Sequence, residues 1–425
     1  MPFTNARAYR AAPISLQAAS GLYYRNGDGA AVLDATSGLW CVNFGHCRPE
    51  IIAAITRQAE QLDYAPGFQI GHPVAFQYAQ RLSDILPAEL DHIFFANSGS
   101  EAVDSALKIA LAYQRAIGQG GRTRLIGRER GYHGANFGGI SVGGLGANRR
   151  GFGPLLPGVD HLRHTYTPQS AFSRGQPVDG ADLANDLERL VTLHGAETIA
   201  AVIVEPLAGS TGVLAPPVGY LERLGQIARR HGILLIFDEV ITAFGRLGAA
   251  TAADRFGVTP DLLVMAKGMT NGAVPMGAVA VASPIHEAII NAAEPGIELF
   301  HGYTCSGHPL AAAAGLAVLD LCASDGLFER ARQLGDPFED AVHDLRGARH
   351  IIDIRNLGLA CGIELEPRPD APGARGAEVF RACFDRGLLV RVTGDTIALA
   401  PAVTIAADQI DQITATIRAV LTSLS

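Results

Sequence analysis

Apolar residues in the middle of the chain fall into short unbroken runs, separated by stretches in which they recur every third or fourth position. The runs are "DHIFFA" (91–96), "TIAAVIVEP" (198–206), "ILLIFDEV" (233–240) and "DLLVMAKG" (261–268). Their length and continuity predict strands buried on both faces. "SEAVDSALKIALAYQRAIG" (100–118) and "GYLERLGQIARRHG" (219–232) read as helices between them. In the first, Val103, Ala106, Leu107, Ala110 and Leu111 share one face at helical spacing. This alternation predicts an α/β large domain built on a mostly parallel central sheet.

After about residue 310 the pattern changes. Helices over 309–323 and 327–346, strands near 351–366 and 388–400, and a last helix over 408–423 predict a smaller α+β domain. The hairpin-like segment "GLYYRNGDGAAVLDATSG" (21–38) is expected to complete it. The expected division is an N-terminal segment 1–45 packing with the small domain, a large domain 46–308 and a C-terminal small domain 309–425. The Gly-rich stretch 138–158 reads as a long irregular loop.

A chain of 425 residues, 48% hydrophobic and 18% charged, has room for these two domains and a globular composition. A net charge of −8 gives no phosphate-tracking surface, so no nucleic-acid partner is expected. No uninterrupted apolar stretch approaches the roughly 18 residues of a membrane span. Six Cys without a CxxC pair predict a reduced, cytoplasmic protein.

The positive charge is distributed unevenly by type. Of 34 basic residues 32 are Arg, and only Lys108 and Lys267 are Lys. Lys108 follows Asp104 by four residues on a helix, which predicts a solvated ion pair. Lys267 ends a buried run, where it reads either as a structural lysine at the mouth of a sheet or as a reactive amine.

Two other features bear on that choice. "FFANSGSEAVDSALK" reads as strand, tight turn and helix, with Ser98 and Glu101 spaced as a capping box. Ser98, Gly99 and Ser100 put small residues and free N–H groups at a helix N-terminus, a place for an anion or simply a helix cap. Asp238 ends the strand "ILLIFDEV", where open α/β sheets present groups to ligands, and a buried carboxylate there needs a partner. Taken together the three ask for one ligand with a phosphate, a cationic ring nitrogen and an aldehyde. Pyridoxal phosphate has all three. Arg could not stand at 267, because a guanidinium stays protonated. A dinucleotide fingerprint is absent: "GGLGANRRG" does not satisfy GxGxxG and does not join a strand to a helix.

The chain resembles the class III (ω-type) aminotransferases of the fold-type I pyridoxal-phosphate enzymes along nearly its whole length. The likeness is carried by "GLWCVNFGHCRPEI", "NSGSEAVDSALKIA", "RERGYHGANFGGISVGG", "VEPLAGSTGVLAPPVGYLERL", "ILLIFDEVITAFGRLG", "PDLLVMAKGMTNGAVPMGAV" and "FHGYTCSGHPLAAAAGLAVLD". "GLWCVNFGH" and "VRVTGD" resemble most the group that works on ω-amino acids with pyruvate. Other class III donors (GABA, ornithine or a diamine) with 2-oxoglutarate, and a non-catalytic binding protein on the same fold, are the alternatives.

The resemblance implies a role for each matching residue. Lys267 would bond the cofactor aldehyde and carry the proton, and Asp238 would hold the ring nitrogen protonated. Tyr132 would stack on one face of the ring and Val240 would cover the other, with His133 and Glu205 also at the cofactor. Ser98, Gly99 and Ser100 would hold the phosphate, joined by Thr304 from a partner subunit, which implies a homodimer with shared sites or a tetramer of such dimers. Arg391 would bind a substrate carboxylate, with Trp40, Phe68 and Tyr132 lining the substrate pocket. The amine donor and the keto-acid acceptor would be small molecules. His301, Cys305 and His308 have spacings a metal could use, yet no fourth ligand is near and no metal is expected.

Overall fold

Three β-sheets organise the chain, which a computed structural model describes over residues 1–293 and 295–424. Strands β1 (Leu16–Ser20), β2 (Tyr23–Asn26) and β3 (Ala31–Asp34) form an antiparallel ribbon near the N-terminus. The central sheet contains β4 (His92–Ala96), β5 (Arg124–Arg128), β6 (Val159–Leu162), β7 (Ile199–Val204), β8 (Leu234–Asp238), β9 (Leu262–Ala266) and β10 (Gly277–Val281). Their order across the sheet is β4-β10-β9-β8-β7-β5-β6. Neighbours from β9 to β6 run parallel, and β10 lies antiparallel between β9 and β4. This is the fold-type I architecture, with the mostly parallel sheet that the sequence predicts.

Strands β7 to β10 are buried at every position, which is why they read as unbroken apolar runs. Alternate side chains serve the two faces. Ile203, Ile236, Val264 and Val279 pack with Val103, Ala106 and Ala110 of the helix Gly99–Ala116. Val204, Phe237, Leu263 and Met265 face the larger core on the other side, with Leu224 and Ile227 of the helix Tyr220–Arg230.

The C-terminal region supplies β11 (Ile351–Leu357), β12 (Ala360–Leu365), β13 (Leu388–Leu389), β14 (Arg391–Thr393) and β15 (Thr396–Leu399). Four of these form a sheet of order β11-β12-β15-β14, while β13 pairs in parallel with β3. The helix Pro309–Ser324 packs on the helices Pro49–Gln61 and Pro73–Ser83. No single helix among the described residues is long and apolar enough to cross a membrane.

Two local expectations are corrected. The Gly-rich stretch is not irregular throughout, for Phe137–Val142 and Gly146–Arg149 are helical. Gly139 permits close approach: a Cβ there would stand 2.2 Å from the His133 carbonyl oxygen. The Asp104–Lys108 ion pair does not form. Asp104 Oδ1 accepts the Gly139 amide at 3.0 Å, burial pushes its carboxyl above the usual range, and Lys108 Nζ lies 3.4 Å from His301 Nδ1.

One fully buried cation joins the parts. Arg246 donates to Leu359 O, Pro401 O, Ser37 Oγ and Asn43 Oδ1, so the N-terminal segment, the loop after β8 and the C-terminal region share its guanidinium. Burial pushes its pKa down to about 10. Replacing it by Met strands buried acceptors, and Arg246→Met should lower stability by about 3 kcal/mol or more, seen as an earlier midpoint in a thermal melt followed by circular dichroism. Arg246→Lys should recover only part of the loss, because a compact ammonium cannot serve acceptors now shared between two separate nitrogens.

Candidate active site

Three elements meet at one end of the central sheet. Strand β8 stops at Asp238, β9 stops just before Lys267, and the helix Gly99–Ala116 begins there. Between them lies a cleft of about 140 Å³. Its walls include Gly99, Ser100, Tyr132, His133, Glu205, Asp238, Val240, Ile241 and Lys267. Seven residues singled out in the sequence for cofactor binding and the apolar Ile241 thus surround Lys267 at the sheet edge, where α/β folds place ligands.

At the helix end of the cleft the cap is half of the predicted box. Ser98 Oγ accepts the Glu101 amide at 3.2 Å. The return bond falls one residue earlier, for Glu101 Oε2 accepts the Asn97 amide at 2.7 Å and Asn97 Nδ2 at 2.9 Å. Ser98 is thereby spent on the helix, and it is not a wall of the cleft. The Gly99 and Ser100 amides, in the first turn, find no protein acceptor among the described residues. These N–H groups and the helix dipole favour an anion. A Cβ on Gly99 would come 3.0 Å from Val240 Cγ2, which brings the loop after β8 over this end.

Asp238 has the partner its burial requires. Its Oδ2 lies 2.8 Å from His133 Nδ1, and Oδ1 accepts the Val240 amide at 3.1 Å. His133 Nε2 is buried without a partner. Glu205 accepts the Tyr132 amide at 2.8 Å and the Gly209 amide at 3.2 Å, and burial pushes its carboxyl upward. It therefore fixes the backbone of Tyr132.

Lys267 follows β9 in a left-handed conformation, φ 50°. Burial, then the nearby Arg391 charge, push its pKa down to about 8, against the opposing pull of Asp238, Cys41 and Glu205. Arg391, on β14, is partly buried, and burial lowers its pKa. Tyr132 and Lys267 are the ionisable groups whose charges couple to it, and among the described residues no carboxylate does so. A guanidinium so placed is a ready fork for a carboxylate. The Tyr132 hydroxyl is pushed up by burial.

Trp40, Phe68 and Thr304 stand apart from the cleft walls of the single chain. Trp40 is fully buried with Nε1 unpartnered, in an apolar cluster that includes Ile241. Phe68 is 59% exposed and Thr304 is exposed, its carbonyl accepting from Tyr64 Oη at 3.0 Å. His301 bonds Ser105 Oγ, His308 caps the helix Pro309–Ser324 and Cys305 is exposed; among the described residues no three His, Cys, Asp or Glu are grouped to hold a metal.

The donor set fits pyridoxal phosphate: free amides for the phosphate, a fixed carboxylate for the ring nitrogen and an unbonded amine for the aldehyde. Comparison with known proteins agrees. The family described as "Aminotransferase class-III" matches residues 4–421. The chain is 63% identical to an omega-aminotransferase of Caulobacter vibrioides, over 99% of this chain and 96% of that one. It is 50% identical to the beta-alanine–pyruvate aminotransferase of Pseudomonas aeruginosa, over 97% and 93%. Among solved structures, an (S)-enantioselective omega-transaminase from Thermomicrobium roseum superposes with a TM-score of 0.94 at 35% identity, covering 99% of this chain and 95% of that one. A PLP-bound amine transaminase from an uncultivated Pseudomonas species does so with a TM-score of 0.93 at 35% identity, covering 100% and 98%. This chain belongs to the class III aminotransferases, and pyridoxal phosphate is its cofactor.

Proposed function

We propose that the protein moves the amino group of an ω-amino acid of the β-alanine kind to pyruvate, in two half-reactions at one site, releasing an aldehyde or keto acid and then alanine. The observation that carries this reading is Arg391: a partly buried guanidinium outside the cleft walls, whose charge acts on the Lys267 amine and which among the described residues has no carboxylate acting on it. Donor and acceptor in this reaction both bear a carboxylate, and the relatives named for β-alanine and pyruvate support that choice.

When bound, pyridoxal phosphate supplies the aldehyde that takes up the amino group and the protonated ring that holds an electron pair released at carbon. Asp238, fixed by His133 and the Val240 amide, lies ready to keep the ring nitrogen protonated. Lys267, neutral above about pH 8, would take the proton from the amine-bearing carbon and deliver it to the cofactor carbon that bore the aldehyde. Tyr132 and Val240, which both line the cleft, would cover opposite faces of the ring, and Arg391 would orient the substrate by its carboxylate.

The chain divides in this reading into a cofactor-binding domain 46–308 and a small domain 309–425 completed by residues 1–45, which the β3–β13 pairing supports. We infer a homodimer, with Thr304 and Phe68 given to the partner's site. Their exposure, and that of Phe300 at 90%, supports it. Six free cysteines support a cytoplasmic location.

Visible spectra of the holoenzyme test the whole reading: the cofactor band should bleach with β-alanine and return with pyruvate. A band that ignores β-alanine removes that donor. Lys267→Ala should abolish both changes. Arg391→Ala should raise KM for pyruvate about ten- to hundredfold, with little effect on a donor amine that lacks a carboxylate. The pH dependence has a definite sign. Only the neutral amine attacks an aldehyde, so capture of pyridoxal phosphate by the apoprotein should quicken as pH rises through about 8. In Arg391→Ala that midpoint should move upward, since a neighbouring positive charge has been removed.

A further inference from the structure

The turn that carries Lys267 is left-handed at both ends, with φ 50° at Lys267 and 53° at Asn271. The Gly272 amide donates to Lys267 O at 3.1 Å and the Asn271 amide to Gly268 O at 3.0 Å, so the turn closes on itself. Outward it is anchored by the buried Tyr78 hydroxyl, which donates to Met269 O at 2.7 Å, and by the Asn271 side chain, which is buried. Oδ1 accepts the Phe44 amide at 2.9 Å, and Nδ2 donates to Gly45 O at 2.8 Å. One amide thus serves a backbone donor and a backbone acceptor, as the edge of a strand would. Gly268 allows the same approach, since a Cβ there would stand 2.8 Å from Asn43 Nδ2.

The segment that Asn271 grips also reaches the strand of Arg391. Leu33 N donates to Gly387 O at 2.8 Å and Ala35 N to Leu389 O at 3.0 Å, and Arg391 lies two residues on. Between these ends Asp34 fixes the path. Its carboxylate accepts the amides of Thr36 (2.9 Å) and Gly38 (2.6 Å) and stands 2.8 Å from His46 Nε2. Residues 31–46 are therefore a short braced link, with the guanidinium's strand at one end and the amine's turn at the other.

We propose that Asn271 is a positioning residue: its two hydrogen bonds to residues 44 and 45 fasten the turn of Lys267 to the segment that sets the strand of Arg391, so that amine and guanidinium keep one separation. This rests on the roles given above to Lys267 and Arg391. Asn271 itself touches neither substrate nor cofactor. A plain packing residue would affect stability alone. A positioning residue alters how a bound substrate lies, which shows in kcat more than in KM.

The full-length holoenzyme carries the test. Asn271→Gly deletes both bonds and keeps a backbone that glycine adopts freely. Asn271→Ala deletes the same bonds with added backbone strain. Val420→Ala, a core truncation in the distant helix Ala407–Ser423, serves as a control for lost stability. Both Asn271 variants should keep the visible band. The pH midpoint of that band should move by about half a unit or more, and kcat should fall about tenfold or more while KM for pyruvate changes less than about threefold. Val420→Ala should lower the melting temperature and leave midpoint and kcat alone. Wild-type midpoint and kcat in Asn271→Gly would reduce Asn271 to packing. Equal losses in Asn271→Gly and Val420→Ala would mean general loosening and would overturn the proposal as well. The parent reading fails by a separate sign: survival of transamination in Lys267→Ala.

Discussion

An amine can attack an aldehyde, or take a proton from carbon, only while it is neutral, and the region around Lys267 is arranged around that constraint. Burial and the Arg391 charge disfavour the ammonium, while two carboxylates near by favour it. The balance leaves an amine whose pKa is pushed down to about 8. The carboxylates are consequently bonded elsewhere. Asp238 is engaged by His133 and the Val240 amide, and Glu205 by two main-chain amides, so that neither is spent on Lys267.

Arg246 shows the opposite treatment of a buried cation in the same protein. It is given four acceptors from two other parts of the chain, and it stays charged. Lys267 is given none. The choice of residue matches the surroundings in each case: a planar, permanently charged fork where segments must be joined, and an ionisable amine where charge must come and go. The Lys scarcity of the sequence makes this contrast visible, for the chain writes its structural cations as Arg.

Much of the frame was legible because its signals are local. Unbroken apolar runs gave β4, β7, β8 and β9, and the residues ending two of them, Asp238 and Lys267, stood out by being charged where the pattern demanded apolar. Strands β5 and β6 were missed, since "RLIGR" and "VDHL" carry charge within and at their ends and are too short to show a period. Strand β10 lay hidden behind a Gly/Asn/Pro-rich turn. The half-formed cap at Ser98 shows a limit of another kind: spacing places a glutamate within reach of two backbone amides, and only packing decides which it takes. Asn43 and Asn271 left no trace in the pattern, because an isolated asparagine at a turn usually serves only that turn. Trp40, Phe68 and Thr304 were assigned through family resemblance, and a single chain does not bring them to the cleft walls.

The pairing of β3 with β13 joins residues 31–34 to residues 388–389, across almost the whole length of the polypeptide. During synthesis the N-terminal ribbon emerges first and its outer partner last. At roughly 5–20 residues per second it waits tens of seconds with one edge unpaired. The waiting edge is β3, and its length of four residues limits edge-to-edge association in that interval. The site near Lys267 therefore cannot be assembled by an N-terminal fragment. The link that spans amine and guanidinium is made long before the strand that locks it in place, so the active geometry needs both of these distant regions.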